Sequence, residues 1–166
     1  MSSAQQPDTD LFRRAVGRFA TGVVITSCVD DGFDHAMTAN AFASVSLEPM
    51  LVLVCVETET RYHDAVMRTD YWGVSVLGAA SRGAAQWLAT RGRPLHGQLD
   101  PVAHYRGAKT GVALLDGALA ALECRTTAVY PGGDHSILIG EVLTLELAED
   151  PAAGLLYYRG AYGSLA

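Results

Sequence analysis

The sequence predicts a mainly β protein with inserted helices, and three observations support that prediction. Runs rich in β-branched residues recur along the 166 residues, and glycine-containing turns separate several of them. Stretches with helical spacing are short and do not alternate strictly with the strands, which favours a mainly antiparallel barrel over a parallel α/β sheet. No GxGxxG segment opens a helix after a strand, so a Rossmann fold is disfavoured.

Composition indicates one globular domain that binds small molecules. The chain is 49% hydrophobic and carries a net charge of -6, whereas a nucleic-acid surface needs clustered Lys and Arg. We predict a flexible N-terminus over residues 1–10 and a single domain over residues 11–166. The opening residues lack the apolar core of a signal peptide, and no apolar run approaches the ~20 residues that cross a bilayer. The cytoplasm is the expected compartment, with no membrane and no nucleic-acid partner.

The three cysteines do not predict a disulfide framework or a metal site. Cys28, Cys55 and Cys124 are an odd number, lie far apart and form no CxxC pair. Cys55 belongs to the apolar run LVLVCV and is expected to be a buried structural thiol.

The first quarter of the chain predicts a helix and then a hairpin. An N-cap oxygen is available at Asp8, Thr9 or Asp10, and the helix is expected to end before Gly22. The β-branched run GVVITSCV then meets the turn-forming segment DDG, which predicts a strand entering a hairpin. The apolar positions of the helix recur on one face: Leu11, Phe12, Ala15, Val16 and Phe19.

The middle of the chain predicts two strands and two short helices. LVLVCV suits a strand buried on both faces, and YWGVSVL suits another strand. ETETRYHDAVMR is typical of a loop feeding a helix capped by Thr58 or Thr60, and SRGAAQWLATRG of a helix that stops near Gly92. From Gly92 to Gly117 the pattern is loop-like.

The last third predicts a hairpin and a terminal strand. The runs ALAALECRTTAVY and HSILIGEVLTLEL flank PGGD, which predicts a hairpin with its tip at the glycines. After the break at residues 149–151, LLYYRGAYGSL is expected to form one strand and a tail.

The segment MTANAFASVSLEP, residues 37–49, is the first candidate for a functional site. It is apolar enough to be inside the protein, yet its hydroxyls and its amide need partners wherever they are buried. One interpretation is a polar ligand held by these groups. The alternative is a polar turn between two strands whose hydroxyls cap the backbone.

Five motifs in a consistent order give the sequence a family resemblance. They are FRRAVGRFATGVVIT, MTANAFASVSLEP, LLDGALAALEC, PGGDH followed by ILIGEV, and YYRGAY. With these motifs the chain resembles the flavin reductase-like family, the small reductase components of two-component flavin-dependent monooxygenases. The resemblance implies an FMN-binding split β-barrel of Greek-key type, a homodimer, and hydride transfer from NADH or NADPH to FMN or FAD. It also implies a partner monooxygenase that receives the reduced flavin.

The resemblance also implies positions for the flavin. The segment that holds the flavin ring falls on small and polar residues whose backbone and hydroxyls can reach the ring edge without crowding it; these are Thr38, Ala39, Asn40, Ala41, Ser44, Val45 and Ser46. A second segment, near the ribityl chain and phosphate, falls on Glu59, Thr60 and Arg61, for which a solvated helix start is the alternative. Relatives commonly carry a phosphate-facing lysine where this chain has RPLHG, and Arg91 or Arg93 is expected to replace it.

His135 is the candidate catalytic residue and Arg159 and Tyr162 are further candidates for substrate binding. In the family, the histidine after the hairpin tip lies beside the nicotinamide, where it positions the substrate, since hydride transfer needs no protein base. A surface histidine is the alternative. Arg159 and Tyr162 match a pair near the flavin or the pyridine nucleotide. Three other histidines show no metal-ligand spacing and are expected at the surface: His35, His96 and His104.

Three other functions are compatible with the sequence. The chain, keeping the same fold, either binds flavin tightly and uses oxygen itself, or carries flavin without catalysis. A purely structural barrel subunit is the third alternative.

Overall fold

The computed structural model describes residues 8–149 and 152–165, so residues 1–7 of the predicted flexible N-terminus lie outside the described residues. Within those ranges the chain is mainly β with short inserted helices, which confirms the predicted class. The helices are α1 (Thr9–Val16), α2 (Arg61–Val66) and α3 (Arg82–Ala89). The strands are β1 (Thr21–Gly22), β2 (Val24–Asp30), β3 (Phe33–Ala39), β4 (Phe42–Leu47), β5 (Met50–Glu57), β6 (Tyr71–Val76), β7 (His104–Arg106), β8 (Ala113–Leu115), β9 (Ala120–Gly132), β10 (His135–Leu147), β11 (Leu155–Tyr158) and β12 (Ala161–Ser164).

Seven strands form the main sheet, in the order β3-β2-β6-β9-β10-β5-β4, and every neighbouring pair is antiparallel. The two edge strands, β3 and β4, are consecutive in the chain, and only Asn40 and Ala41 join them. A three-stranded sheet β1-β11-β12 and the pair β7-β8 complete the described strands.

The predicted hairpins form where the turn residues favour them. Asp31 and Gly32 both have positive φ and connect β2 to β3, as a two-residue turn with this twist requires. Gly133 and Asp134 connect β9 to β10 at the predicted tip. The YYRGAY segment is a third hairpin, not one strand and a tail, because Arg159 and Gly160 also have positive φ.

The N-caps of the first two helices are confirmed. Asp8 accepts a hydrogen bond from the Leu11 N–H, and Thr60 accepts one from the His63 N–H. The end of α1 was predicted wrongly, since the helix stops at Val16 and Gly22 belongs to β1. No residue of α1 is buried.

Burial corrects two further predictions. β5 is not buried on both faces, because its residues alternate between buried and partly exposed, and Cys55 lies on the more exposed face. His35 is not a surface residue but only 7% exposed, since it lies opposite Cys28 on the face of β3 that α2 covers. Burial lowers the pKa of His35.

The stretch from Gly92 to Gly117 contains the β7-β8 hairpin, which the loop-like pattern did not predict. A buried carboxylate anchors it: Glu123, on β9, is only 1% exposed. Its oxygens accept hydrogen bonds from the Thr110 N–H and hydroxyl, from the Lys109 N–H and from the Thr144 hydroxyl, at 2.6 to 3.2 Å. Burial alone would raise the pKa of Glu123, but these hydrogen bonds lower it overall.

The main core lies between the large sheet and α2. Trp72 is completely buried in it, and Gly140 on β10 is required there because a Cβ at that position would lie 2.4 Å from Trp72 Cζ2. A second core cluster packs α3 against β2, β3 and β11, with Leu88 and Leu155 buried. The end of β3 therefore lies between the two helices, where the candidate site forms.

Candidate functional site

Thr38, at the end of β3, faces a cleft of about 390 Å³ that separates β3, the start of α2 and the segment after α3. The cleft brings together several residues that the sequence predicts to bind a cofactor, although they come from three distant parts of the chain. They are Thr38, Glu59, Thr60, Arg61, Arg91 and Arg93.

The start of α2 is fixed by Thr60. Its hydroxyl donates to the Glu57 carbonyl at 2.8 Å and accepts from the His63 N–H at 3.1 Å. This cap determines where α2 begins, and therefore places Arg61 at the mouth of the cleft. The Arg61 guanidinium donates to the Arg93 carbonyl at 2.5 Å.

Arg93 uses its guanidinium inside the protein. It donates to the carbonyls of Leu88, at 2.7 Å, and of Thr90, both at the C-terminal end of α3, and to the Ala36 carbonyl on β3, at 2.9 Å. Burial, followed by the nearby Arg61, lowers the pKa of Arg93. The side chain thus fastens the end of α3 to β3, where a cation also meets the negative end of the helix dipole.

Arg91 is much more exposed than Arg93 and forms an ion pair. Its Nη2 lies 2.9 and 3.1 Å from the two carboxylate oxygens of Glu57, the last residue of β5. The side chain of Arg91 is 82% exposed and that of Glu57 is 32% exposed. Arg61 and Arg91 are therefore the two cleft arginines that an incoming anion reaches from solvent.

A smaller cavity of about 190 Å³ adjoins the cleft across Thr38. The Thr38 hydroxyl donates to the Ala85 carbonyl of α3 at 2.7 Å, so it ties the strand to the helix. Ala39, Asn40 and Tyr162 line this second cavity, which brings the predicted Tyr162 close to the predicted flavin segment. Burial raises the pKa of Tyr162.

A third cavity of about 620 Å³ lies between α1 and the outer face of β4 and β5. Asn40 lines both this cavity and the second one, and Ala41 lines this one. Thr38, Ala39, Asn40 and Ala41 consequently line a row of three adjoining cavities, the groove, with two accessible arginines in the first cavity and apolar walls in the third. The walls of the third cavity include Val16, Phe19, Phe42, Leu53 and Cys55.

Three predicted residues lie away from these cavities. Ser44, Val45 and Ser46 follow on the edge strand β4, where a register shift occurs between Ser44 and Ser46. None of the three lines the cavities just described, and Val45 is 46% exposed.

His135 and Arg159 lie at hairpin turns. His135 begins β10, and its Nδ1 lies 2.7 Å from Asp134 Oδ1. It pairs in register with Glu57 on β5, so the histidine stands beside the Glu57–Arg91 ion pair, at the edge of the cleft. Arg159 occupies the β11-β12 turn with φ of 50°, and its N–H donates to the Gly17 carbonyl at 2.8 Å.

Sequence reasoning missed two residues of the site. Glu57 is the counterion of Arg91, and Tyr157 lines the second and third cavities. Tyr157 packs edge-on against Tyr162, its cross-strand partner, with ring centroids 5.4 Å apart. The signal for Tyr157 was the pair Arg159-Gly160, because a two-residue turn makes the flanking tyrosines neighbours. The pairing of Glu57 with Arg91 joins positions 34 residues apart and had no sequence signal.

Neither a metal centre nor a membrane span emerges from the described part of the chain. No cluster of three or more His, Cys, Asp or Glu side chains suited to a metal occurs among residues 8–149 and 152–165. In the same residues, no helix has the length and apolarity needed to span a membrane.

Comparison with known proteins agrees with this geometry. The flavin reductase like domain matches residues 16–166. An NADH-dependent flavin reductase from a Rhodococcus species is 36% identical, over 92% of this chain and 84% of the relative. A flavin-dependent monooxygenase reductase subunit from Rhodococcus jostii is 33% identical, over 96% of this chain and 80% of the relative.

A solved structure shows the same fold. It is the NADH:FAD oxidoreductase SgcE6 of Streptomyces globisporus in complex with NAD and FAD fragments, with a TM-score of 0.89 and 36% identity over 98% of each chain. The resemblance seen in the sequence motifs is therefore confirmed, and the chain belongs to the flavin reductase-like family.

Proposed function

We propose that this chain transfers a hydride from NADH or NADPH to FMN or FAD and supplies the reduced flavin to a partner flavin-dependent monooxygenase. The observation that carries the proposal is the groove along residues 38–41, which has cations in its first cavity, Tyr162 in its second and apolar walls in its third. A bound flavin has the matching polarity, with an anionic phosphate and a planar ring.

The residues of the groove bind and orient the flavin. Arg61 and Arg91 meet the phosphate, since a guanidinium fork suits its oxygens. The small side chains of Ala39 and Ala41 let the backbone approach a planar group, and Tyr162 offers a ring for stacking. A flavin held here supplies the hydride acceptor, and the protein accelerates the reaction mainly by positioning. Arg93 shapes the cleft through its contacts with carbonyls at the end of α3 and on β3.

His135 stands where a nicotinamide carboxamide can reach it. Asp134 holds the imidazole Nδ1, which leaves Nε2 to meet the substrate. Arg159 lies at the C-terminal end of α1, where its N–H donates to the Gly17 carbonyl, and is proposed as a contact for the nucleotide phosphates. Ser44, Val45 and Ser46, at the exposed edge strand, complete the site through contact with a second subunit or with the flavin.

The connection between β3 and β4 supports a split β-barrel of Greek-key type. A flat sheet of seven strands would separate its edges by ~29 Å, whereas three peptide units span about 10 Å. Because Asn40 and Ala41 alone join the edge strands, the sheet has to roll until its edges meet. Residues 11–166 then form a single domain. The cytoplasm suits the three free cysteines, which need a reducing compartment.

A homodimer explains the exposed apolar surface formed by α1 and the residues that follow it. Phe12, Val16 and Phe19 are 61%, 50% and 78% exposed, and the last two line the third cavity. A contiguous apolar surface of this kind is typical of a protein interface. A second copy of the chain is the partner we propose for it.

Dimer formation is expected to depend on that surface. The double variant Val16→Glu/Phe19→Glu should sediment as a monomer at a protein concentration where the unchanged chain is a dimer, because each glutamate would be buried without a partner. Arg14→Glu, outside the apolar face of α1, is the matched control and should remain dimeric. A monomeric unchanged chain, or a double variant that still dimerises, contradicts the dimer proposal.

Phosphate recognition is expected to depend on Arg61 and Arg91. Replacing either by glutamine should raise the Kd for FMN about tenfold, the effect of a lost charged hydrogen bond of roughly 1.5 kcal/mol. The Kd for riboflavin, which has no phosphate, should change less than twofold. Fluorescence titration with both flavins measures the difference. Equal losses for FMN and riboflavin would place the phosphate elsewhere.

Replacement of His135 by alanine is expected to raise the KM for NADH or to lower turnover, by about tenfold, while the Kd for FMN stays constant. The reason is that a positioning group contributes through orientation of the nucleotide and not through flavin binding. Steady-state kinetics at saturating FMN measure this effect. His104→Ala, at a histidine far from the groove, serves as the control. Unchanged kinetics in His135→Ala would remove the residue from the site.

Flavin binding itself separates the proposal from its alternatives. A reductase that releases its product should bind FMN or FAD reversibly and emerge colourless from gel filtration. A yellow protein that keeps its flavin, but is not reduced by nicotinamide nucleotides, would instead favour a flavin carrier or an oxygen-using enzyme. Absence of any flavin binding would favour a structural subunit.

A further inference from the structure

Glu57 and Arg91 form an ion pair at the mouth of the cleft. One guanidinium nitrogen of Arg91 lies 2.9 and 3.1 Å from the two oxygens of Glu57. Both residues line the cleft that holds Thr60 and Arg61. The carboxylate therefore occupies Nη2 of Arg91, one of the donors with which the guanidinium binds a phosphate, and it adds a negative charge to the same cleft.

A phosphate monoester competes well for that position. It carries nearly two negative charges at neutral pH, against one for a carboxylate, and presents three acceptor oxygens. The existing pair is solvent-exposed on its arginine side, at 82%, so it is weak and easily exchanged. The backbone of Glu57 is held separately, because its carbonyl accepts from the Thr60 hydroxyl. The side chain is thus free to move without disturbing the start of α2.

We propose that Glu57 is a built-in competitor for the flavin phosphate: it occupies Arg91 in the ligand-free protein and is displaced when FMN binds. The inference rests on the proposed function and deepens it, because it assigns to Glu57 the setting of flavin affinity. A reductase that hands its product on needs moderate affinity, and an internal anion lowers affinity without removing the arginine that recognises the phosphate.

Removal of the competitor should tighten FMN binding. Glu57→Gln is expected to lower the Kd for FMN about three- to tenfold at low ionic strength, because it frees Arg91 and removes a like charge from beside the phosphate. The Kd for riboflavin should stay within twofold. Fluorescence titration of the full chain with each flavin provides both values, and the KM for NADH at saturating FMN provides a third.

Two controls isolate the ion pair. Asp64→Asn removes a carboxylate charge from α2 at a position that is 69% exposed and does not line the cleft, so its effect on FMN should be twofold or less. In an Arg91→Gln background, Glu57→Gln should no longer tighten FMN binding, because its effect requires the arginine that it releases.

Each outcome decides the matter. Tightening that is specific to FMN, larger than in Asp64→Asn and absent in the Arg91→Gln background supports the competitor role. Equal effects of Glu57→Gln and Asp64→Asn, an equal gain for riboflavin, or a gain that persists without Arg91 overturns it. A changed NADH KM with unchanged FMN binding also overturns it, since Arg91 would then serve the nicotinamide nucleotide. If the unchanged chain binds neither flavin, the proposed function fails as well.

Discussion

Replacement of Arg93 by methionine is expected to lower the free energy of unfolding by about 3 kcal/mol and to raise the Kd for both FMN and riboflavin at least tenfold. The carbonyls of Leu88, Thr90 and Ala36 would lose their charged donor, and the end of α3 would no longer be fastened to β3. Loss for riboflavin as well as FMN distinguishes this shaping role from phosphate contact. Urea unfolding and fluorescence titration measure the two effects.

Two further variants, at Arg93 and Arg91, separate the shaping role of Arg93 from a general effect of charge. Arg93→Lys keeps the charge but has no fork that reaches carbonyls on both α3 and β3, so it should recover less than half of the lost stability. Arg91→Met, two residues away, should change the free energy of unfolding by less than about 1 kcal/mol, as expected of an exposed ion pair. If Arg93→Met loses affinity for FMN alone, Arg93 contacts the phosphate and the shaping role is wrong.

Replacement of Glu123 by alanine is expected to lower the free energy of unfolding by about 3 kcal/mol. Two backbone N–H groups and two hydroxyls would lose their acceptor, and the segment around Thr110 would detach from β9. Glu141→Ala, on the neighbouring strand, removes a partly exposed carboxylate whose ion-pair partner, Arg125, is exposed, and it should cost less than about 1 kcal/mol. Equal losses in the two variants would contradict the anchoring role of Glu123.

The same carboxylate gives stability a predictable pH dependence. The pKa of Glu123 is lowered in the folded protein below its ordinary value of 4.5. Its contribution is therefore present above about pH 4.5 and is lost as the pH falls through the folded-state pKa. Glu123→Gln should be less stable than the unchanged chain at neutral pH, and the gap should narrow under acid. Urea unfolding at several pH values measures this difference in the free energy of unfolding. A difference that does not change with pH would contradict the lowered pKa of Glu123.

Local chemistry made much of the fold predictable. Asp8 and Thr60 cap their helices, and the PGGD tip joins two long strands, because caps and tight turns depend on neighbours in the sequence. Packing between distant segments was harder to predict from the sequence. The β7-β8 hairpin depends on the acceptor Glu123, and the apolar positions of α1 face outward although their spacing is that of a helix packed on a core.

The sequence predicted which residues form the candidate site, but not which role each of them has. The stretch from Thr38 to Ala41 and the cations near Arg91 do meet in one groove. The guanidinium of Arg93 hydrogen-bonds to carbonyls of α3 and β3, which leaves Arg91 to face the ligand. Sequence spacing carries no information on that choice.

We expect this chain to reduce flavin with a nicotinamide nucleotide. An initial-rate grid of NADH and NADPH against FMN, FAD and riboflavin, followed at the nucleotide absorbance, tests it most directly. We expect nucleotide oxidation that depends on added flavin, with a lower KM for FMN or FAD than for riboflavin because Arg61 and Arg91 recognise the phosphate. Nucleotide oxidation that no added flavin accelerates would show that the chain is not a flavin reductase.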